Sequence, residues 1–256
     1  QWREALESQN ELLSLQNELD VASTIQQSIL PSNMPESEAF QVEGSMVPAR
    51  EVGGDFYYVE ELDDGKMALA VADVSDKGVP AALFMMLTRS LLKGLLREVS
   101  EPSQVIGPLN EMLVEDNTSA MFVTLFYAVY DPKTGKLDFA NAGHNPPLLV
   151  HKNGKTELLP MTGGIALGVS SGWEIKEKSL ELKPGESVVF YTDGVTEAVD
   201  DKDNEFGTDR LGKVPAKIGG ADAVALSDAV FEAIKQFTGE TPQFDDITCL
   251  TLHRRP

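Results

Sequence analysis

Cysteine, histidine, positive charge and long apolar runs are all scarce in this 256-residue chain. Cys249 is the sole cysteine, so no internal disulfide can staple the fold, and its place inside the apolar run "DITCLTL" reads as a small buried residue rather than a reactive thiol. Lys and Arg number 21 against 41 Asp and Glu, a formal charge of −20. That balance argues against nucleic acid or an anionic membrane face as a partner, since both require a basic surface. No stretch approaches the roughly 18 continuous apolar residues that cross a bilayer, so a soluble, cytoplasmic protein is expected. The opening "QWREALESQN" lacks the basic-then-apolar order of a secretion signal and reads as part of a longer cytoplasmic chain. Internal repeats and low-complexity tracts are also missing. With 42% apolar residues, the composition suits one compact domain with an appendage.

The appendage is the start of the chain. Residues 1–30 contain no Gly or Pro and place Leu12, Leu15, Leu19, Ala22 and Ile29 at three-four spacing, with Gln26 filling the gap, up to Pro31. The seam is narrow. It predicts a helix that either pairs two chains as a coiled coil or docks on the domain that follows. "PSNMPESEAF" breaks the pattern, dividing the chain into a helical linker (1–34) and a domain (38–256).

Within the domain, "FQVEGSMVPA", "FYYVEEL" and "KMALAVAD" read as strands, "LDDGK" being a hairpin turn. A helix over 79–99 follows, with Leu83, Leu87, Leu91 and Leu95 on one stripe and Pro80 in its first turn, then a second over 103–115. "MFVTLFYAVYD", "KLDFANAG", "PPLLVHK", "KTELLP", "WEIKEKSLEL" and "SVVFYTDG" read as six more strands, joined by turns at "DPKTG", "KNG" and "KPGE". Helices over 208–218 and 221–237 precede a last strand, "ITCLTLH". Long runs of strands with helices in pairs predict an α+β layered fold with mostly antiparallel sheets.

Most acids sit in turns or on polar faces, but Asp55, Asp73, Asp193, Asp245 and Asp246 do not. Asp55 follows "VGG" and enters a strand, Asp73 closes "MALAVA", Asp193 closes "VVFYT", and Asp245 and Asp246 open "ITCLTL". An unpaired carboxylate at the end of a core strand costs several kcal/mol of desolvation. Arg50 and Lys77 are the only nearby bases along the chain, too few to pair every acid. A hard divalent cation is the economical remaining partner, and four such acids on one sheet edge would suit two Mg²⁺ or Mn²⁺ ions roughly 3.5–4 Å apart. Gly53, Gly54, Gly78 and Gly194 would let the backbone approach so crowded a site, or are ordinary turn glycines. Imported cations would also let a protein of this charge receive a phosphate.

The order and spacing of "PAREVGGDFYYV", "VADVSDKGVPAALFMM", "FVTLFYAVYDPKTGKLDFANAGHNPPLLV", "TGGIALGV", "VVFYTDGVTEAVD" and "FDDITCLTL" resembles the bacterial branch of the metal-dependent type 2C (PPM) protein serine/threonine phosphatases. That branch includes the sporulation stage II protein E phosphatase and the stress-response regulators of sigma factor B. The resemblance covers residues 40–254 and implies a four-layer α-β-β-α sandwich, two mostly antiparallel sheets flanked by helix pairs. It implies that Asp73 bridges two metals, that the Val74 carbonyl and Asp55 serve the second, and that Asp193 and Asp245 hold the first. Asp246 is then a supporting residue, and Arg50 matches a phosphate-gripping arginine unless it only pairs with a neighbouring acid. The helix ending "IQQSILP" resembles the linker joining such domains to an upstream sensor or receiver module. The implied substrate is a phosphorylated anti-sigma factor antagonist. One departure is Asp76, where many relatives have glycine; aspartate tolerates the left-handed backbone that turn needs, or it adds a carboxylate beside the metals.

The chemistry so implied is metal-dependent hydrolysis of phosphoserine or phosphothreonine. The alternative is a silent module of the same fold that acts by docking a regulator. His144, in "NAGHNPP", reads as a loop histidine bonded to backbone and is left out of the site. "DDKDNEF" at 200–206 fails as a calcium loop because Phe206 stands where glycine is required, and reads as a solvated loop.

Overall fold

A computed structural model describes residues 2–115, 117–218 and 221–256. Helix α1 (Trp2–Ile29) comes first, stopping two residues short of Pro31, whose ring disfavours helical backbone in the residue before it. Two five-stranded sheets follow. One has the order β1 (Phe40–Val47), β10 (Ile247–Arg254), β9 (Ser187–Tyr191), β6 (Leu148–Val150) and β7 (Thr156–Leu158). The order in the other is β2 (Phe56–Glu61), β3 (Met67–Val74), β4 (Val123–Tyr130), β5 (Lys136–Ala142) and β8 (Glu177–Glu181). Each pairing between neighbours is antiparallel. Helices α2 (Val79–Leu95) and α3 (Pro102–Glu115) pack on the second sheet, and α7 (Ala223–Thr238) packs on the first. The expected four-layer sandwich is what the chain forms.

Burial on both faces explains why the central strands read as unbroken apolar runs. Along β4, Leu125, Tyr127 and Val129 enter the core under α2 and α3, while Phe126, Ala128 and Tyr130 enter the core between the sheets. Phe126 stacks on Phe139 at 5.3 Å and meets Phe190 of the facing sheet at 5.6 Å, contacts worth about 0.5–1.5 kcal/mol each beyond the area they bury. A third core, with Tyr191, Leu226, Val230 and Ile234, lies beneath α7.

Several expectations need correction. The stretch 208–218 forms two short helices, α5 (Gly207–Leu211) and α6 (Val214–Ile218), because Gly212 ends the first and Pro215 has no amide proton to bond back into it. Asp193 does not end a strand: it opens a one-turn helix, α4 (Asp193–Thr196). Only 177–181 of the expected strand 173–182 pairs as β8. On α2 the buried positions are Ala81, Ala82, Met85, Thr88 and Leu92, whereas of the leucine stripe Leu83 is 63% exposed and Leu91 and Leu95 are only partly buried against the same core. Residue 1 of the expected first helix lies outside the described residues. Among the described residues no helix is long and apolar enough to cross a membrane.

Candidate metal centre

Strand pairing brings the separated acids to one edge. Phe56 pairs with Ala72, which sets Asp55 opposite Asp73 on neighbouring strands. Tyr191 pairs with Cys249, so Asp193, two residues past β9, lies beside Asp245 and Asp246, which just precede β10. One pair therefore comes from each sheet. Glycine permits the approach at two points: a Cβ at Gly194 would overlap the Asp246 carbonyl, and a Cβ at Gly53 would collide with the Asp246 carboxylate.

Asp55 is buried, 1% exposed. Thr192 and Thr248 each donate a hydroxyl to its Oδ2 at 2.6 Å, yet burial and the charges of Asp73 and Asp246 hold its carboxyl well above the usual carboxylate range. Asp73 is pushed up to about 7, first by burial and then by Asp193. Asp193 is raised by burial and by Asp245. Asp245 faces Lys77, whose Nζ stands 2.8 Å from its Oδ2. Lys77 also donates to the Phe244 carbonyl at 2.8 Å and lies 3.6 Å from the centre of the Phe244 ring. Asp246 accepts the Ala49 and Gly54 amides, each at 2.8 Å. It fastens the 49–55 loop, in keeping with a supporting place.

Val74 ends β3 buried, and its carbonyl lies 3.0 Å from where a Gly54 side chain would begin. Arg50 is exposed and its guanidinium runs past Gly78. Asp76 adopts φ +67°, the left-handed backbone expected of it, with its side chain exposed. Cys249 is fully buried, its thiol pushed up to about 11 by burial, the inert state expected. Residues 201–205 are exposed, in a turn where Asp200 accepts bonds from Lys202 and Asn204, while Phe206 is buried in the core beneath α7.

Three contributors escaped sequence reasoning. Gln26, taken for a gap in the α1 seam, is buried and exchanges two hydrogen bonds with the Gly53 backbone, at 2.6 and 2.9 Å. Thr192 and Thr248 were the legible ones, being hydroxyls inside apolar strands that need a partner. His144 departs from the expected loop bonding. It is buried, with Nδ1 2.8 Å from the Thr124 hydroxyl and Nε2 3.1 Å from the Tyr191 carbonyl, so it links the two sheets just behind the acids. Donation from Nε2 to that carbonyl makes Nδ1 the acceptor.

A hard divalent cation suits this donor set, which is all oxygen and carries more negative charge than its neighbours neutralise. The side chains as they lie do not converge on such an ion: among the described residues no group of three or more His, Cys, Asp or Glu could hold one. Asp55 is turned to its two threonines and Asp245 to Lys77, and releasing them would free the oxygens.

The chain is 33% identical over 264 residues to protein IcfG of Synechocystis, covering 93% of this chain and 41% of that one. It is 32% identical over 183 residues to phosphoserine phosphatase RsbU of Bacillus subtilis, covering 72% and 54% respectively. It thus spans about half or less of these curated relatives. The SiaA-PP2C domain of Pseudomonas aeruginosa superposes with a TM-score of 0.82 at 25% identity, over 96% of this chain and 99% of that one. The family model for stage II sporulation protein E (SpoIIE) matches residues 63–255. With the acid-edged double sheet and these matches in hand, the chain belongs to the SpoIIE family, on the fold of the PP2C-type phosphatases.

Proposed function

We propose that this domain hydrolyses phosphoserine or phosphothreonine on a regulatory protein, using two Mn²⁺ or Mg²⁺ ions. The observation that carries the reading is the gathering of Asp55, Asp73, Asp193 and Asp245 at one edge of the two sheets, where burial and neighbouring carboxylates raise the first three. Asp73, central among them, would bridge the ions, with the Val74 carbonyl and Asp55 on one side and Asp193 and Asp245 on the other. When bound, the ions would supply a water activated for attack and neutralise charge building on the phosphoryl oxygens. Arg50, whose guanidinium passes Gly78, would grip a phosphate oxygen. Thr192 and Thr248 orient Asp55, and Asp246 keeps the 49–55 loop against the site.

The substrate we favour is a phosphorylated anti-sigma factor antagonist, in keeping with the likeness to RsbU, in cytoplasmic signalling. Residues 1–34 would be a linker to an upstream sensor or receiver module and 38–256 the phosphatase domain. Most of α1 exposes its apolar residues, Leu12, Leu13, Leu15 and Val21 among them, which supports a homodimer through residues 1–30.

Hydrolysis of para-nitrophenyl phosphate with and without Mn²⁺ tests the reading. Activity should require the ion and fall by about 100-fold or more in Asp73→Asn. Metal-independent turnover, or full activity in the variant, would overturn it; absence of all turnover would favour a silent docking module.

A further inference from the structure

A groove of about 710 Å³ begins at Gly194 and Asp245 and runs between α7 and the segment 241–245. Its wall is one face of α7, where Asp228, Phe231, Glu232 and Lys235 recur at three-four spacing. Its floor is apolar, with Val47, Ile234 and Ile247. The charges along it are Glu197, Asp228, Glu232 and Asp245 against Lys235 alone. An apolar trough edged with acid and open at the acid cluster is complementary to a chain that alternates apolar and basic side chains.

We infer that this groove receives the substrate's own polypeptide on one side of the phosphorylated residue and selects segments that carry basic and apolar side chains there. The inference rests on the phosphatase reading above and extends it to specificity. A phosphoserine placed at Asp73, Asp193 and Asp245 must lead its flanking chain away from the site. The groove starts at one of those residues, so an extended segment leaving the site on that side would enter it. Exposed acids on a groove rim act mainly through complementarity and partner choice. Asp228 and Glu232 are both exposed, so reversing their charge alters recognition without opening the core.

The test uses two phosphoserine decapeptides, one flanked by alternating Lys and Leu, the other by alternating Glu and Leu. The proteins are the unaltered chain, Asp228→Lys/Glu232→Lys, and Glu61→Lys/Asp63→Lys. The last pair makes the same change in net charge near the β2–β3 turn, at the end of that hairpin away from Asp55, and so controls for the overall charge of −20. We expect kcat/KM at least tenfold higher for the basic peptide, a preference lost in the groove variant and kept in the control, with para-nitrophenyl phosphate turnover equal in all three. Equal rates on both peptides, or the same loss in the control, would overturn the groove assignment while leaving the phosphatase reading intact. Failure of the unaltered chain on para-nitrophenyl phosphate and both peptides would overturn both. Fluorescence anisotropy of the labelled peptides gives a second readout: groove and unaltered chains binding the basic peptide equally would also overturn the assignment.

Discussion

Lys77 holds a position no other cation shares among the described residues: it pairs with Asp245 and is itself held by the carbonyl and ring of Phe244. An ammonium and a divalent ion cannot both take the same carboxylate oxygen. A partly exposed pair of this kind is worth about 0–1 kcal/mol, so Lys77→Met should tighten Mn²⁺ binding by up to roughly fivefold, as read by titration calorimetry. Weaker binding in the variant would show that Lys77 presents Asp245 to the ion instead. Gly194 has no substitute beside the acids, since any side chain there meets the Asp246 carbonyl. Gly194→Ala should cost on the order of 1–3 kcal/mol by overpacking, seen as a lower melting temperature. Because the displaced segment carries Asp245, it should weaken Mn²⁺ binding as well.

Among the elements, α1 is two things along its length. Its outer turns are exposed, whereas Gln26 near its end is buried against Gly53. Gln26→Ala leaves the Gly53 amide and carbonyl without their partner, a loss of about 1–3 kcal/mol. Hydrogen exchange should then quicken across 49–55 while α1 remains helical by circular dichroism. This docking was not legible in the sequence, because a glutamine in an apolar seam shows its purpose only once the facing backbone is known. Strands were legible where turns such as "DPKTG" and "KPGE" bounded them, and the acids at their ends stood out because core strands rarely finish in unpaired charge. The break at 211–214 was not, although Gly212 and Pro215 announced it; the periodicity of the apolar residues ran through both. On α2, regular leucine spacing drew attention from the residues that are fully buried, Ala81, Met85 and Leu92 among them. The choice of face depends on what lies opposite, which spacing alone does not carry.

For the whole molecule, His144 matters because it ties one sheet to the other through Thr124 and Tyr191. Burial lowers its pKa to about 4 from 6.5, so it is neutral when folded. As pH falls below 6.5 the unfolded chain takes up the proton first, so the stability this residue contributes is whole above that value and is lost progressively down to about 4. The loss amounts to about 3 kcal/mol at most. Urea unfolding of the protein and of His144→Gln over this range isolates it: the gap between them should shrink as acid is added, and a constant gap would refute the assignment.

The helix at the start of the chain also has a mechanical meaning. Its 28 residues make a shaft about 42 Å long, exposed over most of its length and joined near its end to the loop that leads into Asp55 by Gln26, with Ile29 packed on the core. A twist or tilt of the shaft would reach the 49–55 loop through Gln26.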